Sequence, residues 1–206
     1  QICRWDFDLY DSNLEHLKGE KPFTFCSKDL AMLEVLPEMI DMGIDSFKIE
    51  GRMRSSYYIA TVVNVYRKAI DAYCNNSKEF EYNNELKILL DNCANRESTV
   101  QFFNGNEGID TQYYNGRIEL SNQDFLGVVI AIDEQTMYAT IEERNYFKVG
   151  DTVEIFGPDI KTITMTLDEI INDDGTVLTV VNHPLQQVKI KLPIVVKPLS
   201  MMRFKH

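Results

Sequence analysis

The sequence predicts an α+β protein in which a βα segment is followed by a small antiparallel β-barrel. An apolar stripe at helical spacing runs through residues 56–74. A short segment of alternating apolar and charged residues, 44–50, precedes that stripe and is typical of a strand. From about residue 125 onward, alternating apolar residues recur between turn signals such as Gly157-Pro158. Short strands at that spacing favour a closed barrel, because closure removes exposed sheet edges.

A helix is expected over residues 28–42. Ser27 is a good N-cap for it, because a serine hydroxyl accepts one of the unpaired amide protons of a first helical turn. Pro37 lies inside this stretch and predicts a kink or two short helices. Gly43 predicts the end of the helix.

The segment 44–50 is predicted to be the strand that follows, and Ser55 to cap the helix over 56–74. The order helix, strand, turn, helix indicates a βαβ-type fold with a parallel sheet. A polar junction near residues 75–79 divides the chain. We therefore expect three regions, which are the βα part at 1–75, a helical linker region at 76–119 with a short helix near 85–95, and the β-barrel at 120–206.

Composition excludes several classes of protein. The chain has 206 residues, 44% of them hydrophobic, which excludes wholesale disorder. Its formal charge of -11 means that only a local patch would grip a polyanion. No apolar run is long enough for a membrane span. Because the chain starts at Gln1 without a leader, we expect a piece of a longer protein.

The four cysteines form no CxxC pair. Two disulfides are formally possible, but buried or redox-type thiols in a cytoplasmic protein are the favoured interpretation.

The strongest candidate site is the charged segment 48–54. Lys48 and Glu50 lie on one face of the predicted strand, and Arg52 and Arg54 lie in the turn after it. Ligands bind at this end of the strands in open α/β sheets and barrels, and arginine forks fit carboxylates and phosphates. The free amides of the helix that starts at Ser55 prefer the same anions. A structural ion pair with a solvated turn explains the same residues equally well.

A second, weaker candidate is Ser27-Lys28-Asp29, for which a helix cap with surface charges is the simpler interpretation. Cys26 directly precedes it, where a helix start would stabilise a thiolate. Metal ligation or redox chemistry at Cys26 and Cys3 competes with the default of buried, inert thiols.

Several motifs form one further pattern along the chain, namely Cys3-Arg4-Trp5, Ser27-Lys28-Asp29-Leu30, residues 43–55, residues 57–60, Tyr66-Arg67, residues 125–129, residues 149–155 and Met202-Arg203. Together they resemble the peptidase U32 (collagenase-like) family. The resemblance is continuous over roughly residues 1–75 and is weaker in the later β region.

The resemblance implies that residues 1–75 are the C-terminal end of a TIM-like barrel and that residues 120–206 are the family's β domain. It also implies a function, which we expect to be prephenate-dependent 5-hydroxylation of the wobble uridine of tRNA. The alternatives are a collagenase-like peptidase, and a non-catalytic module that binds RNA or protein. No nucleophile–base pair or metal motif supports the peptidase. We expect this stretch alone to be inactive.

The charged segment and its neighbours supply the candidate residues for this function. Lys48, Glu50 and Arg52 are expected to be catalytic, and the substrate-binding residues to be Arg54, Ser27, Lys28, Asp29 and Tyr57. Several members of the family bind an iron–sulfur cluster through four cysteines. The resemblance makes Cys3 and Cys26 candidate ligands of a 4Fe–4S cluster in the full-length parent only. Two thiols do not hold such a cluster, so we expect no cofactor in this stretch. The expected partner is tRNA or a protein substrate, with a homo-oligomer as a further expectation.

Overall fold

The computed structural model describes residues 2–19, 22–52, 54–76, 84–94, 96–113, 124–158 and 160–205. The chain divides into two compact units. Residues 1–54 and 61–121 form the N-terminal unit, and residues 55–60 and 122–206 form the β unit. None of the described helices is long and apolar enough to cross a membrane. The predicted junction at 75–79 lies largely outside the described residues.

In the N-terminal unit the described residues form three helices and four short strands. The helices are α1 (Leu36–Asp41), α2 (Ser56–Asn75, whose first turn counts with the β unit) and α3 (Asn84–Cys93), with 3-10 turns at Ile2–Arg4 and Gly108–Thr111. The strands are β1 (Leu9–Tyr10), β2 (His16–Leu17), β3 (Asp29–Leu30) and β4 (Ser98–Thr99).

Helix α2 confirms the predicted second helix. The Ser55 hydroxyl accepts the N–H of Tyr58 at 3.2 Å, as expected of an N-cap. Val62, Val65 and Ala69 are buried along one face. Helix α3 likewise confirms the short helix expected near 85–95.

Helix α1 shows that the helix predicted over 28–42 is wrong in its first half. The helix begins at Leu36 and places Pro37 in its first turn, where a proline fits because no hydrogen bond needs its missing N–H. The proline therefore starts the helix and does not kink it. Gly43 ends it as predicted, with a φ of +81° that favours glycine.

A three-segment sheet replaces the first part of the predicted helix. Strand β3 pairs in parallel with β4 on one side. On its other side Ser27 bridges Gln112, and the N–H of Lys28 donates to the carbonyl of Thr111 at 2.9 Å. Residues 26–30 thus find backbone partners far along the chain, which local propensity does not anticipate.

The strand predicted over 44–50 is also wrong. These residues are described as irregular chain, and no described strand pairs with them. A strand requires a neighbouring strand for its backbone groups, so the alternating pattern alone is insufficient. The parallel βαβ sheet, and with it the TIM-like segment, is therefore not seen in the described residues.

Ten strands lie in the described residues of the β unit. They are β5 (Phe125–Asp133), β6 (Tyr138–Glu143), β7 (Phe147–Lys148), β8 (Thr152–Phe156), β9 (Ile163–Thr166), β10 (Ile170–Asn172), β11 (Val177–Leu178), β12 (Val180–Val181), β13 (Gln187–Lys191) and β14 (Met201–Phe204). Predicted turns separate them, and Gly150 and Gly175 adopt φ values of +91° and +87° at two of these turns.

Eight of these strands form one curled antiparallel sheet in the order β11-β10-β13-β6-β5-β14-β8-β9. The expected antiparallel architecture is confirmed, but this sheet is a half-barrel, since within the described residues its end strands β11 and β9 do not pair with each other. The two-stranded sheet of β7 and β12 is separate from it.

The concave face of the sheet encloses one apolar core. Ala139, Ile141, Val153 and Ile155 are fully buried there, as their alternation predicts. Gly127 allows the close approach of β5 and β6, because a Cβ at this position would lie 2.6 Å from Cγ2 of Ile141.

Candidate functional site

The charged turn, defined here as residues 48–54, is largely exposed to solvent. Lys48 and Glu50 meet as predicted, with Nζ 3.7 Å from Oε2. The other oxygen of Glu50, Oε1, accepts the backbone N–H of Arg52 at 3.0 Å. An ion pair this exposed contributes little to stability, so it leaves the side chains available to a ligand. Met53 of this segment lies outside the described residues.

Arg54 differs from the rest of the charged turn because its side chain is largely buried. Its backbone N–H closes the turn on the carbonyl of Gly51 at 2.8 Å. Its guanidinium forms an ion pair with the carboxylate of Asp29, which belongs to β3. The structure therefore brings together two predicted substrate-binding residues that are 25 positions apart.

A second arginine completes this group. Arg96 Nη2 lies 2.7 Å from Oδ1 of Asp29, while Arg54 takes Oδ2. Arg96 Nη1 also donates to the sulfur of Cys26 at 3.6 Å. The side chains of Arg54, Asp29 and Arg96 are 16%, 18% and 13% exposed. We call Cys26, Asp29, Arg54 and Arg96 the arginine cluster.

Contacts of the next residue, Glu97, fix the position of Arg96. The carbonyl of Glu97 accepts the N–H of Asp29 at 2.9 Å. The N–H of Glu97 donates to the hydroxyl of Tyr113 at 2.7 Å, and burial raises the pKa of that phenol. Lys28 adds an ion pair, with Nζ 2.7 Å from Oε2 of Glu97. The three-segment sheet thus aligns the two guanidiniums on one carboxylate.

The electrostatics of the arginine cluster favour an anion. Two permanent positive charges share the single negative charge of Asp29, in a protein whose formal charge is -11. Partial burial lowers the local dielectric constant and so strengthens the interaction of these charges with an anion. Guanidinium groups bind carboxylates and phosphates with planar, directional hydrogen bonds. The cluster is therefore suited to a small carboxylate or a phosphate group.

Two further predicted binding residues have surroundings that differ from the prediction. Ser27 does not cap a helix, since it bridges Gln112 within the three-segment sheet. Tyr57 is 7% exposed and stacks on Phe125 in the β unit, with ring centroids 4.7 Å apart and planes 8° apart. Its ring also meets the edge of Phe156. The structure thus places Tyr57 in aromatic packing.

The described residues do not fit an iron–sulfur cluster by themselves. Cys3 is exposed, whereas Cys26 is buried and donates to the carbonyl of Ser27 at 3.6 Å. Cys93 is buried and donates to the carbonyl of Leu90. Within the described part of the chain, no three side chains of His, Cys, Asp or Glu are grouped to hold a metal. A cubane cluster takes four ligands, and the described residues do not bring four together.

Sequence reasoning missed Arg96, Glu97 and Tyr113 as neighbours of the site. Residues 76–119 were expected to be a linker, and an isolated Arg-Glu pair after a short helix carries no motif. The parallel pairing of β3 with β4 brings them to Asp29. Only a prediction of that long-range pairing would have found them.

Comparison with known proteins gives the class of this chain. The profile of peptidase family U32 matches residues 1–113, and that of the peptidase family U32 C-terminal domain matches residues 121–203. The chain belongs to peptidase family U32.

Several relatives are similar over most of this chain. The tRNA hydroxylation protein P1 of Bacillus subtilis is 47% identical over 98% of this chain and 49% of its own length. A collagenase of Porphyromonas gingivalis is 30% identical over 82% of this chain and 47% of its own length. The tRNA hydroxylation protein P of Escherichia coli is 33% identical over 75% of this chain and 33% of its own length. The chain therefore spans about half, or less, of the length of these relatives.

A solved structure is similar to part of this chain. It is the C-terminal domain of a Geobacillus thermoleovorans protein assigned as a U32 peptidase, 39% identical, with a TM-score of 0.40. It covers 43% of this chain and 100% of that chain.

Proposed function

We propose that this chain is the C-terminal portion of an enzyme that hydroxylates the wobble uridine of tRNA. The observation that carries the proposal is the 47% identity to a tRNA hydroxylation protein along 98% of the chain. The match covers nearly the whole chain and so extends across both units. The expected cellular location is the cytoplasm, where tRNA is modified.

The finer part of the proposal is the reaction, which is 5-hydroxylation of the uridine with prephenate as co-substrate. The arginine cluster supports an anionic co-substrate, because Arg54 and Arg96 together exceed the charge of Asp29. Prephenate is a dicarboxylate, and its carboxylates suit guanidinium donors.

Within this proposal the charged turn faces the reacting atoms. Lys48, Glu50 and Arg52 contact the substrates and are the catalytic residues. Arg54, Asp29, Lys28 and Ser27 form the binding surface behind them. The net negative charge of the protein opposes a broad electrostatic grip on tRNA, so recognition depends on local contacts.

A reconstitution tests this reaction. The full protein that carries this sequence is purified and incubated with unmodified tRNA, with and without prephenate, and the wobble nucleoside is measured by mass spectrometry. We expect hydroxylated uridine only when tRNA and prephenate are both present. Equal hydroxylation without prephenate would remove the co-substrate from the proposal.

The alternative is a collagenase-like peptidase, favoured by the Porphyromonas gingivalis relative. The same purified protein is assayed on gelatin and soluble collagen. Cleavage of either substrate would support the peptidase if it is abolished by Lys48→Ala, Glu50→Ala or Arg52→Ala.

A further inference from the structure

We propose that Arg96 is a positioning residue for the charged turn, acting on it through Asp29 and Arg54. This inference rests on the proposed function, because it assigns Arg96 a part in the same reaction. Arg96 lies 42 positions after Arg54, in a region that the sequence predicts to be a linker.

The carboxylate of Asp29 is shared between two guanidinium groups. Its Oδ2 accepts a hydrogen bond from Arg54, and its Oδ1 forms an ion pair with Arg96. A carboxylate held by one guanidinium still rotates about its χ2 bond, which is a broad, soft torsion. A second guanidinium on the other oxygen removes that freedom. Arg96 therefore fixes the plane in which Asp29 meets Arg54.

Arg96 is itself held rigidly by its surroundings. The residue that follows it, Glu97, is bonded through its carbonyl to Asp29 and through its N–H to Tyr113. The Arg96 side chain itself is 13% exposed and donates to both Asp29 and Cys26. Its Nε is buried and has no hydrogen-bond partner among the described residues, so the guanidinium is held in this place by its Nη groups.

Arg54 is linked through the backbone of the charged turn to the residues proposed as catalytic. The Arg54 N–H bonds to the carbonyl of Gly51 and closes the charged turn, and Arg52 lies inside that closure. Glu50 is tied to the same turn by the N–H of Arg52. The other described residues of the charged turn are largely exposed and irregular, and the ion pair of Arg54 with Asp29 anchors the turn to the three-segment sheet. A shift of Asp29 is therefore passed to Arg52 and Glu50.

The test uses the full protein that carries this sequence, with the variants Arg96→Gln and Arg96→Lys. The matched control is Arg144→Gln, because Arg144 also forms a partly buried ion pair, 2.6 Å from Glu142, in the β unit. Thermal unfolding gives the folded amount, and hydroxylation of tRNA is measured per folded molecule with separate kcat and KM values.

We expect Arg96→Gln to lower kcat per folded molecule by about ten- to a hundredfold, because small displacements of reacting groups cost that much. Arg96→Lys should recover part of the loss, since an ammonium still reaches one oxygen of Asp29. Arg144→Gln should leave kcat within about twofold of the unchanged protein.

Two outcomes would overturn the inference. One is an Arg96→Gln protein whose kcat per folded molecule equals that of Arg144→Gln. The other is an equal loss in the Gln and Lys variants that follows the folded amount, which indicates a structural role only. If the unchanged protein itself does not hydroxylate tRNA, the proposed function fails instead. A stably folded Arg96→Gln whose Arg52 and Glu50 backbone amide NMR shifts match the unchanged protein would then reject the positioning role separately.

Discussion

At the scale of single residues, Arg52 and Arg54 have different surroundings although they are two positions apart. The sequence treats both as surface residues of a solvated turn. In the structure Arg52 is exposed, whereas Arg54 is mostly buried against Asp29. The difference arises because β3 pairs with β4 and places Asp29 beside the turn, a contact that no local pattern encodes.

The two arginines therefore respond differently to substitution. Arg52→Ala should change the free energy of unfolding by no more than about 0.5 kcal/mol, as surface changes usually do. Arg54→Ala should lower it by about 2 kcal/mol or more, because Asp29 loses a largely buried partner. Urea unfolding of the two variants measures this. Equal, small losses would show that the ion pair of Arg54 is solvated.

At the scale of elements, two turns of the β unit depend on aspartate. Oδ1 of Asp133 accepts the N–H of Gln135 at 2.9 Å, and Oδ1 of Asp174 accepts the N–H of Thr176 at 3.0 Å. Hydrogen bonds, above all those from the side chains of Thr136 and Thr176, lower the pKa of the two carboxyls below the ordinary 3.8. The ionised carboxylate thus stabilises each turn.

These lowered pKa values predict how the stability of the β unit depends on pH. A carboxyl with a lower pKa in the folded state binds its proton more readily when unfolded. Its contribution is complete above the ordinary pKa of 3.8 and is lost as pH falls through the lower folded value. Melting temperatures measured from neutral to acid pH should fall less steeply for the variant Asp133→Asn with Asp174→Asn. A melting temperature that falls with acid pH as steeply as that of the unchanged protein would contradict this.

The first turn of α2 is a second element with a specific role. Residues 55–60 count with the β unit, and Tyr57 stacks there on Phe125. Phe156 lies against Tyr57 and under the guanidinium of Arg203, which is 4.5 Å from the ring centroid. Arg203 is 1% exposed and is held by Glu154 through two hydrogen bonds. Tyr57 is therefore part of the packing of the β unit.

This packing predicts a large effect for Tyr57→Ala. Removing a buried aromatic ring typically costs about 3–5 kcal/mol, from lost burial and the cavity left behind. The control is Tyr146→Ala, because Tyr146 is 50% exposed and should change stability by no more than about 0.5 kcal/mol. Chemical unfolding followed by near-UV circular dichroism compares them. A Tyr57→Ala protein as stable as the control would exclude a packing role.

At the scale of the whole molecule, local signals predict local elements, and the rest depends on long-range pairing. The apolar stripe and Ser55 predict α2, and alternation with glycine turns predicts the β strands. The segment 44–50 alternates equally well, yet no described strand pairs with it. The candidate site divides in the same way. Segment 48–54 stands out in the sequence, whereas Arg96 joins Asp29 only through the fold.

The central claim is that the protein carrying this sequence hydroxylates the wobble uridine of tRNA. The most direct measurement is mass spectrometry of wobble nucleosides in tRNA from a strain that lacks its gene, with and without the intact gene restored. We predict that hydroxylated wobble uridine falls to the background level in the deletion strain and returns with the intact gene. Wobble uridine hydroxylated to the same extent in the deletion strain, with no other enzyme supplying the modification, would contradict the claim.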